Sequence, residues 1–328
     1  MREAQNMILC CGEALIDFLP ETHASGRPCF TACPGGAVFN TAVALGRLGA
    51  EVELLSGLSE DIFGGQLRAA LRQSHVRTSY APVRALPTTL AFIQLLDGNA
   101  TYAFFDENTA SRMLLPVDLP ASLPAGVTTL FLGGISLATE PCADTLVAFA
   151  ERHAGQCIVM VDLNIRPNFI KNEATYRKRL KRLISIADIV KVSDDDIDWL
   201  YPDLNSEEAN WKTLEAEGPT IVLITRGAKG ADAISNGAVC VSLPAQDVTI
   251  VDTVGAGDTF NAGFLTGLSK IGMTSKTALK AMTADELAYA MNLGIRAAAV
   301  TVSRLGADPP WWHELAIQAE VTRNRRHR

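Results

Sequence analysis

Apolar residues fall into short runs, and between most of the runs lie stretches in which apolar positions recur every three or four residues. The runs are 7–11, 51–56, 128–132, 157–161, 188–192 and 220–224. Each has the length of a strand, and most have the near-continuous hydrophobicity of one buried on both faces. The helical stretches are 37–48, 66–74, about 141–153, 175–187 and about 283–299. Apolar and small residues at 38, 42, 45 and 48 share one helical face, and Gly49 suits a C-cap. Strand alternating with helix predicts a doubly wound α/β fold around a parallel sheet. Two further β-rich runs, 88–96 and 101–105, have no helix between them, only Asp97-Gly98-Asn99, a hairpin signal. They predict an antiparallel piece that joins residues 13–33 in a small separate sheet.

The candidate chemistry gathers at the ends of these runs. Asp252-Thr-Val-Gly255-Ala256-Gly257-Asp258-Thr-Phe-Asn261 is a turn that opens into a helix. Its glycines allow a tight turn and close approach of a ligand, and the unpaired N–H groups of the helix start favour an anion. Asp258 taken alone reads first as an N-cap, with the acceptor of a proton from an attacking hydroxyl as the alternative. Asp17 stands alone among apolar residues, either a buried structural acceptor or a ligand for substrate hydroxyls. Gly35-Gly36 opens the next helix, and Asn40 lies one turn in, as a packing amide or as a second ligand. The 157–161 run ends in Asp162-Leu-Asn164-Ile-Arg166, polar and apolar by turns, where α/β folds bind ligands. The 188–192 run ends in Ser193-Asp194-Asp195-Asp196, a helix N-terminus or a place for a hydrated metal ion. The 220–224 run leads into Thr225-Arg226-Gly227-Ala228-Lys229-Gly230.

Composition narrows the classes. The chain has 328 residues, 48% hydrophobic and 20% charged, enough for a large core. Lys plus Arg number 29 against 36 Asp plus Glu, a net charge of −7 that argues against nucleic acid as a partner. Seven cysteines, two of them adjacent, form no secreted-type framework and read as reduced thiols of a cytoplasmic protein. Cys29 and Cys33 have no second pair to complete a metal site. The opening Met-Arg-Glu-Ala-Gln-Asn does not read as a signal peptide, and no apolar stretch reaches membrane-spanning length. Neither a P-loop nor a GxGxxG after a strand is present.

Two signatures and four further stretches resemble, in order, the ribokinase-type carbohydrate kinases, the PfkB family. Gly35–49 resembles its N-terminal signature and Asp252–Asn261 its C-terminal one. Residues 12–18, 162–167, 225–230 and 302–307 match as well, and the first and last of these look most like bacterial fructokinases. The resemblance spans the chain. It implies one ribokinase-like domain over 1–328, a doubly wound α/β/α sandwich with a small β-sheet lid formed by about 13–34 and 88–106. It implies Asp258 as general base and the backbone amides of Gly255, Ala256 and Gly257 as anion hole. Asp17, Gly35, Gly36, Asn40, Phe104 and Arg166 would bind the sugar, and Ser193, Asp196, Thr225, Gly227 and Gly230 the ATP. Ser193 and Asp196 replace the family's Asn and Glu. A K⁺ site would use Asp252, Val254, Thr301, Arg304 and Gly306, with Pro310 standing where a further ligand occurs.

These correspondences imply an Mg²⁺–ATP-dependent kinase that converts D-fructose to fructose 6-phosphate in the cytoplasm, without nucleic-acid or membrane partners, with a homodimer through the lid. In relatives that act on 2-keto-3-deoxygluconate an Arg follows the paired lid aromatics. Here Phe104-Phe105 is followed by Asp106, which would repel a carboxylate and favours a neutral hexose. The alternatives are the same fold acting on 2-keto-3-deoxygluconate, ribose or a nucleoside, or a noncatalytic sugar- or nucleotide-binding regulator.

Overall fold

The computed structural model describes residues 6–96, 99–204, 206–235 and 237–315. The expected turn at 97–98 and the basic tail at 323–328 lie outside the described residues. The strands are β1 (Met7–Cys11), β2 (Leu15–Thr22), β3 (Pro28–Gly35), β4 (Glu51–Leu55), β5 (Leu58–Ser59), β6 (Val83–Arg84), β7 (Thr89–Leu96), β8 (Asn99–Phe105), β9 (Val127–Gly133), β10 (Ile158–Asp162), β11 (Ile189–Ser193), β12 (Ile221–Thr225), β13 (Ala231–Ser235) and β14 (Ala238–Leu243). The helices are α1 (Ala37–Arg47), α2 (Ile62–Gln73), α3 (Cys142–His153), α4 (Glu173–Ile186), α5 (Asp194–Leu200), α6 (Glu207–Ala216), α7 (Ala256–Lys270), α8 (Lys276–Lys280) and α9 (Ala284–Val302). None of the described helices is long and apolar enough to cross a membrane.

The large sheet runs β14-β13-β12-β11-β10-β9-β1-β4. From β12 to β4 all pairs are parallel, and β13 and β14 are added antiparallel at one edge. Successive residues of each parallel strand enter different cores, as the period of two requires. Ile8 and Cys10 pack with α1, α2, α7 and α9 on one face. Met7, Leu9 and Cys11 pack with α3, α4 and α6 on the other. This two-sided burial explains why most of the runs read as near-continuously apolar. It also pushes the thiols of Cys10 and Cys11 well above their ordinary range, so both act as small hydrophobes.

The smaller sheet has the order β3-β2-β7-β8. The β7–β8 hairpin is antiparallel as expected, and so is β2–β3, but β2 and β7 run parallel, because the chain crosses the body through α1, β4 and α2 before it returns. Helix α2 begins at Ile62, four residues before the expected start. Gly64-Gly65 reads as loop, yet Asp61 caps the helix by accepting the Gly64 N–H at 2.7 Å. The same carboxylate takes the N–H and hydroxyl of Thr88, at 2.8 and 2.7 Å, and so ties the root of β7 to the body.

Helices α7 and α9 touch backbone to backbone. A Cβ on Gly263 would lie 2.7 Å from the Cα of Gly294, and one on Gly267 would lie 2.6 Å from the Cα of Ala290. Gly263→Val therefore forces the helices apart. It should lower stability by about 1–3 kcal/mol, read as a lower urea midpoint with an unchanged slope.

Candidate active site

The carboxyl ends of the parallel strands open onto a cleft of about 880 Å³. The smaller sheet supplies part of its wall through Asp17, Ile93, Tyr102 and Phe104. Phe104 packs against Phe169 of the body with ring centroids 4.7 Å apart. The alternate residues of these strands, Phe18, Phe30, Phe92 and Phe105, form an aromatic layer on the opposite face.

Gly255 holds φ 75° and begins α7 without a side-chain cap. Its Cα lies so close to Ala307 that a Cβ would approach the Ala307 Cβ to 2.6 Å. Asp258 is the third helical residue, and it does not cap the helix. Its Oδ2 accepts the Asn40 Nδ2 of α1 at 2.9 Å, while its carbonyl accepts the Thr41 hydroxyl at 3.3 Å. The side chain is buried but lines the cleft. Burial raises its pKa to about 7, with Asp162 adding and Asn40, Lys191 and Arg166 opposing. A carboxyl that titrates near neutrality, within reach of an alcohol, can take its proton.

The cleft brings together Asp17, Gly36, Asn40, Phe104, Arg166, Ser193, Asp196, Thr225, Asp252, Val254, Gly255, Ala256, Gly257 and Asp258. Gly35, Gly227, Gly230, Thr301, Arg304 and Gly306 do not line it. Gly35 makes room for the Asp17 carboxylate, and Gly230 (φ 103°) for the backbone at Leu243. Gly227 opens the turn that closes on Gly230, whose N–H meets its carbonyl at 3.1 Å. Asp252 accepts the N–H groups of Val254 and Gly306 at 3.0 and 2.9 Å, and so joins the turn before α7 to the loop after α9. The Thr301 hydroxyl donates within the core, and Thr301 O accepts the Arg304 N–H at 3.0 Å.

Three expectations change in detail. The Ala256 N–H donates to Thr253 O at 3.3 Å, whereas the Gly255 and Gly257 amides have no backbone partner among the described residues. Ser193 and Asp196 form a reciprocal capping box on α5, and the other oxygen of Asp196 accepts the Ile165 N–H at 2.7 Å. Their oxygens thus hold together the two strand-end turns, and Asp194 and Asp195 face solvent. Among the described residues no group of three or more His, Cys, Asp or Glu side chains is arranged to hold a metal ion. Asp106 does not face the cleft. Both its oxygens take Arg112 Nη1 at 3.1 Å, and it lies in a small polar space behind the wall. The chain has left β8 by then, so the alternation that aims Phe104 inward no longer governs it. The argument for a neutral sugar from Asp106 therefore fails.

The sequence reading passed over Lys191. It sits in the middle of an apolar run, and that was the signal. Burial works against its charge, but Asp162, Asp196 and Asp258 keep its pKa above the ordinary lysine value. Nζ lies 3.2 Å from Asp162 Oδ2 and 3.1 Å from where a Cβ on Gly257 would stand, beside the helix start. Asn261 Nδ2 donates to the same Asp162 oxygen at 2.6 Å, and Asp162 Oδ1 has no hydrogen-bond partner among the described residues. Tyr102 was also missed, because an aromatic in a strand reads as packing.

Such an arrangement, an ionisable carboxylate and an ammonium at the mouth of a helix, in a cleft at the strand ends of a ribokinase-like sheet, defines a kinase that phosphorylates an alcohol. The pfkB family carbohydrate kinase model matches residues 5–314, and the chain belongs to that family. It is 44% identical over 272 residues to a fructokinase of Rhizobium leguminosarum bv. trifolii, covering 82% of each chain. Among solved structures it is similar to a fructokinase with bound ATP from Xylella fastidiosa (TM-score 0.87, 26% identity, 96% and 99% of the two chains). It is also similar to an aminoimidazole riboside kinase from Salmonella enterica complexed with aminoimidazole riboside and an ATP analogue (TM-score 0.81, 25% identity, 95% and 99%).

The kcat/KM of the kinase reaction should fall as pH drops through about 7, where Asp258 takes up its proton. Removing the Asn40 donor raises that pKa, so Asn40→Ala should move the acidic limb upward by about one pH unit. A pH profile of both proteins checks this; an unmoved or lowered limb contradicts it.

Proposed function

We propose that this chain is an ATP-dependent fructokinase that makes fructose 6-phosphate, with Asp258 as general base. The observation that carries this is the buried, Asn40-bound carboxylate of Asp258 three residues into a helix at whose start the Gly255 and Gly257 amides lack backbone partners among the described residues. The choice of fructose rests on the 44%-identical fructokinase. Fructose would lie against Asp17, Gly36 and Asn40, under the small sheet acting as a lid on a single kinase domain, with Phe104 beside it and Arg166 where the sugar meets the phosphoryl path. The nucleotide would lie toward Ser193, Asp196 and Thr225, backed by Gly227 and Gly230. The attacking C6 hydroxyl gives its proton to Asp258 as oxygen bonds to the γ-phosphorus and ADP leaves. The amides of Gly255 and Gly257 take up the charge that develops on the transferred group, and Lys191 reinforces them.

ATP would enter as its Mg²⁺ complex, since Mg²⁺ is held mainly by phosphates and water. A K⁺ ion near the anion hole would use Asp252 and carbonyls of Val254, Thr301, Arg304 and Gly306. The donor set fits, because each Asp252 oxygen carries one N–H and keeps a free lone pair. A cytoplasmic location agrees with the seven unpaired cysteines. Exposed Phe30 and Phe105 on the outer layer of the small sheet support a dimer through that face. Sedimentation should give a dimer for the wild type and a monomer for Phe105→Lys.

A panel of fructose, ribose, 2-keto-3-deoxygluconate and a riboside, assayed for ADP release with Mg²⁺–ATP and with or without K⁺, tests the reading. Fructose should be preferred, and preference for a riboside would favour the second structural relative instead. Asp258→Asn should lose kcat by roughly a thousandfold or more. Its folded-state pKa is raised, so ionised Asp258 costs stability above pH 7 and that cost fades as pH falls toward its unfolded value. Asp258→Asn should therefore melt no lower than the wild type at pH 8. Full activity in this variant would exclude Asp258 as the base.

A further inference from the structure

Glu13, in the turn between β1 and β2, is 2% exposed yet borders the cleft beside Asp17. Its Oε1 accepts the Val38 N–H at 3.4 Å, and its Oε2 the Ser136 N–H at 3.2 Å. Val38 is the second residue of α1, whose N-cap Gly36 has no side chain to satisfy the free amides and whose first turn has no acid. Glu13 therefore caps α1 from another part of the chain and binds it to the turn after β9.

The backbone is shaped to admit this carboxylate. A Cβ on Gly134 (φ 67°) would collide with Oε1, and one on Gly36 (φ 104°) would lie 3.1 Å from Cγ. Asp17 is admitted in the same way, because a Cβ on Gly35 would collide with its Oδ2. Two buried carboxyls thus share one end of the cleft. Burial raises both, and Glu13 is the next cause acting on Asp17, whose pKa reaches about 7. No ion pair reaches either among the described residues. Arg112, across the small polar space behind Glu13, is held by both oxygens of Asp106. Lys191 is held by Asp162 at the phosphoryl end, and Arg166 acts on Asp258 and Tyr102.

We infer that Glu13 is a specificity-determining and positioning residue for the sugar. Through Val38 it fixes the segment that carries Gly36 and Asn40. With Asp17 it makes this end of the cleft a surface without a cation, which admits hydroxyls and rejects a carboxylate. This deepens, and rests on, the sugar-kinase reading above, and it supplies the discrimination against sugar acids that Asp106 does not.

Glu13→Gln keeps the size, removes the charge and turns an NH₂ toward an amide that needs an acceptor. Glu13→Asp keeps the charge but is one methylene too short to span both amides. Each folded protein is titrated calorimetrically with D-fructose and with 2-keto-3-deoxygluconate, and KM is measured for both sugars and for ATP. Glu13→Gln should weaken fructose binding by roughly tenfold or more, leave KM for ATP within about twofold, and lower the preference for fructose over the sugar acid by roughly tenfold. Glu13→Asp should weaken fructose and keep the preference. Unchanged preference in Glu13→Gln, or equal losses for sugar and ATP, overturns the inference. If Glu13→Gln does not fold, Glu13→Asp decides: a lost preference, or undiminished fructose binding, overturns it. Failure of the wild type to bind fructose would count against the proposed function itself, and it is read before either variant.

Discussion

An acid that must titrate near neutrality has to be buried, and a buried acid needs a donor. The bond from Asn40 to Asp258 meets both demands, and the rest of the site is arranged around it. It joins two helices whose sequence positions are 218 apart, α1 and α7. Each begins at a glycine with positive φ, so each presents bare backbone to the cleft. Burial alone would drive the Asp258 pKa higher still; Asn40, Lys191 and Arg166 hold it to about 7.

The charges of the cleft are sorted by end. Toward β10, β11 and α7 lie Lys191 and Arg166, with the Gly255 and Gly257 amides, which have no backbone partner among the described residues. Toward β2 and the start of α1 lie Glu13 and Asp17 without a cation. An anion and a polyol laid end to end match this division, and Asp258 stands near the boundary. The small sheet lines the cleft with Tyr102 and Phe104, while its other face carries an aromatic layer.

Much of this was legible in the sequence for physical reasons. Strands buried on both faces are apolar at most positions, so the parallel strands could be read. Residues needed at strand ends and helix starts stand out as polar or glycine, so Asp17, Asn40, Asp258 and Arg166 could be read as well. What escaped was tertiary. The pairing of Asp106 with Arg112 depends on how the chain turns after β8, which no periodicity encodes. The Ser193–Asp196 capping box is local, but acids at a helix start and acids at a metal look alike in sequence. Lys191 was hidden by its apolar neighbours. Glu13 drew no reading of its own, because its partners Val38 and Ser136 lie 25 and 123 residues away.

The central claim is that the cleft delivers one particular hydroxyl to Asp258. A crystal structure with D-fructose and a non-hydrolysable ATP analogue tests it directly. The account predicts the C6 oxygen about 2.6–3.2 Å from the Asp258 carboxylate and about 3–3.5 Å from the γ-phosphorus, in line with the bond to be broken. Fructose bound with its C1 hydroxyl at Asp258, or with no hydroxyl within hydrogen-bonding reach of it, would contradict the account.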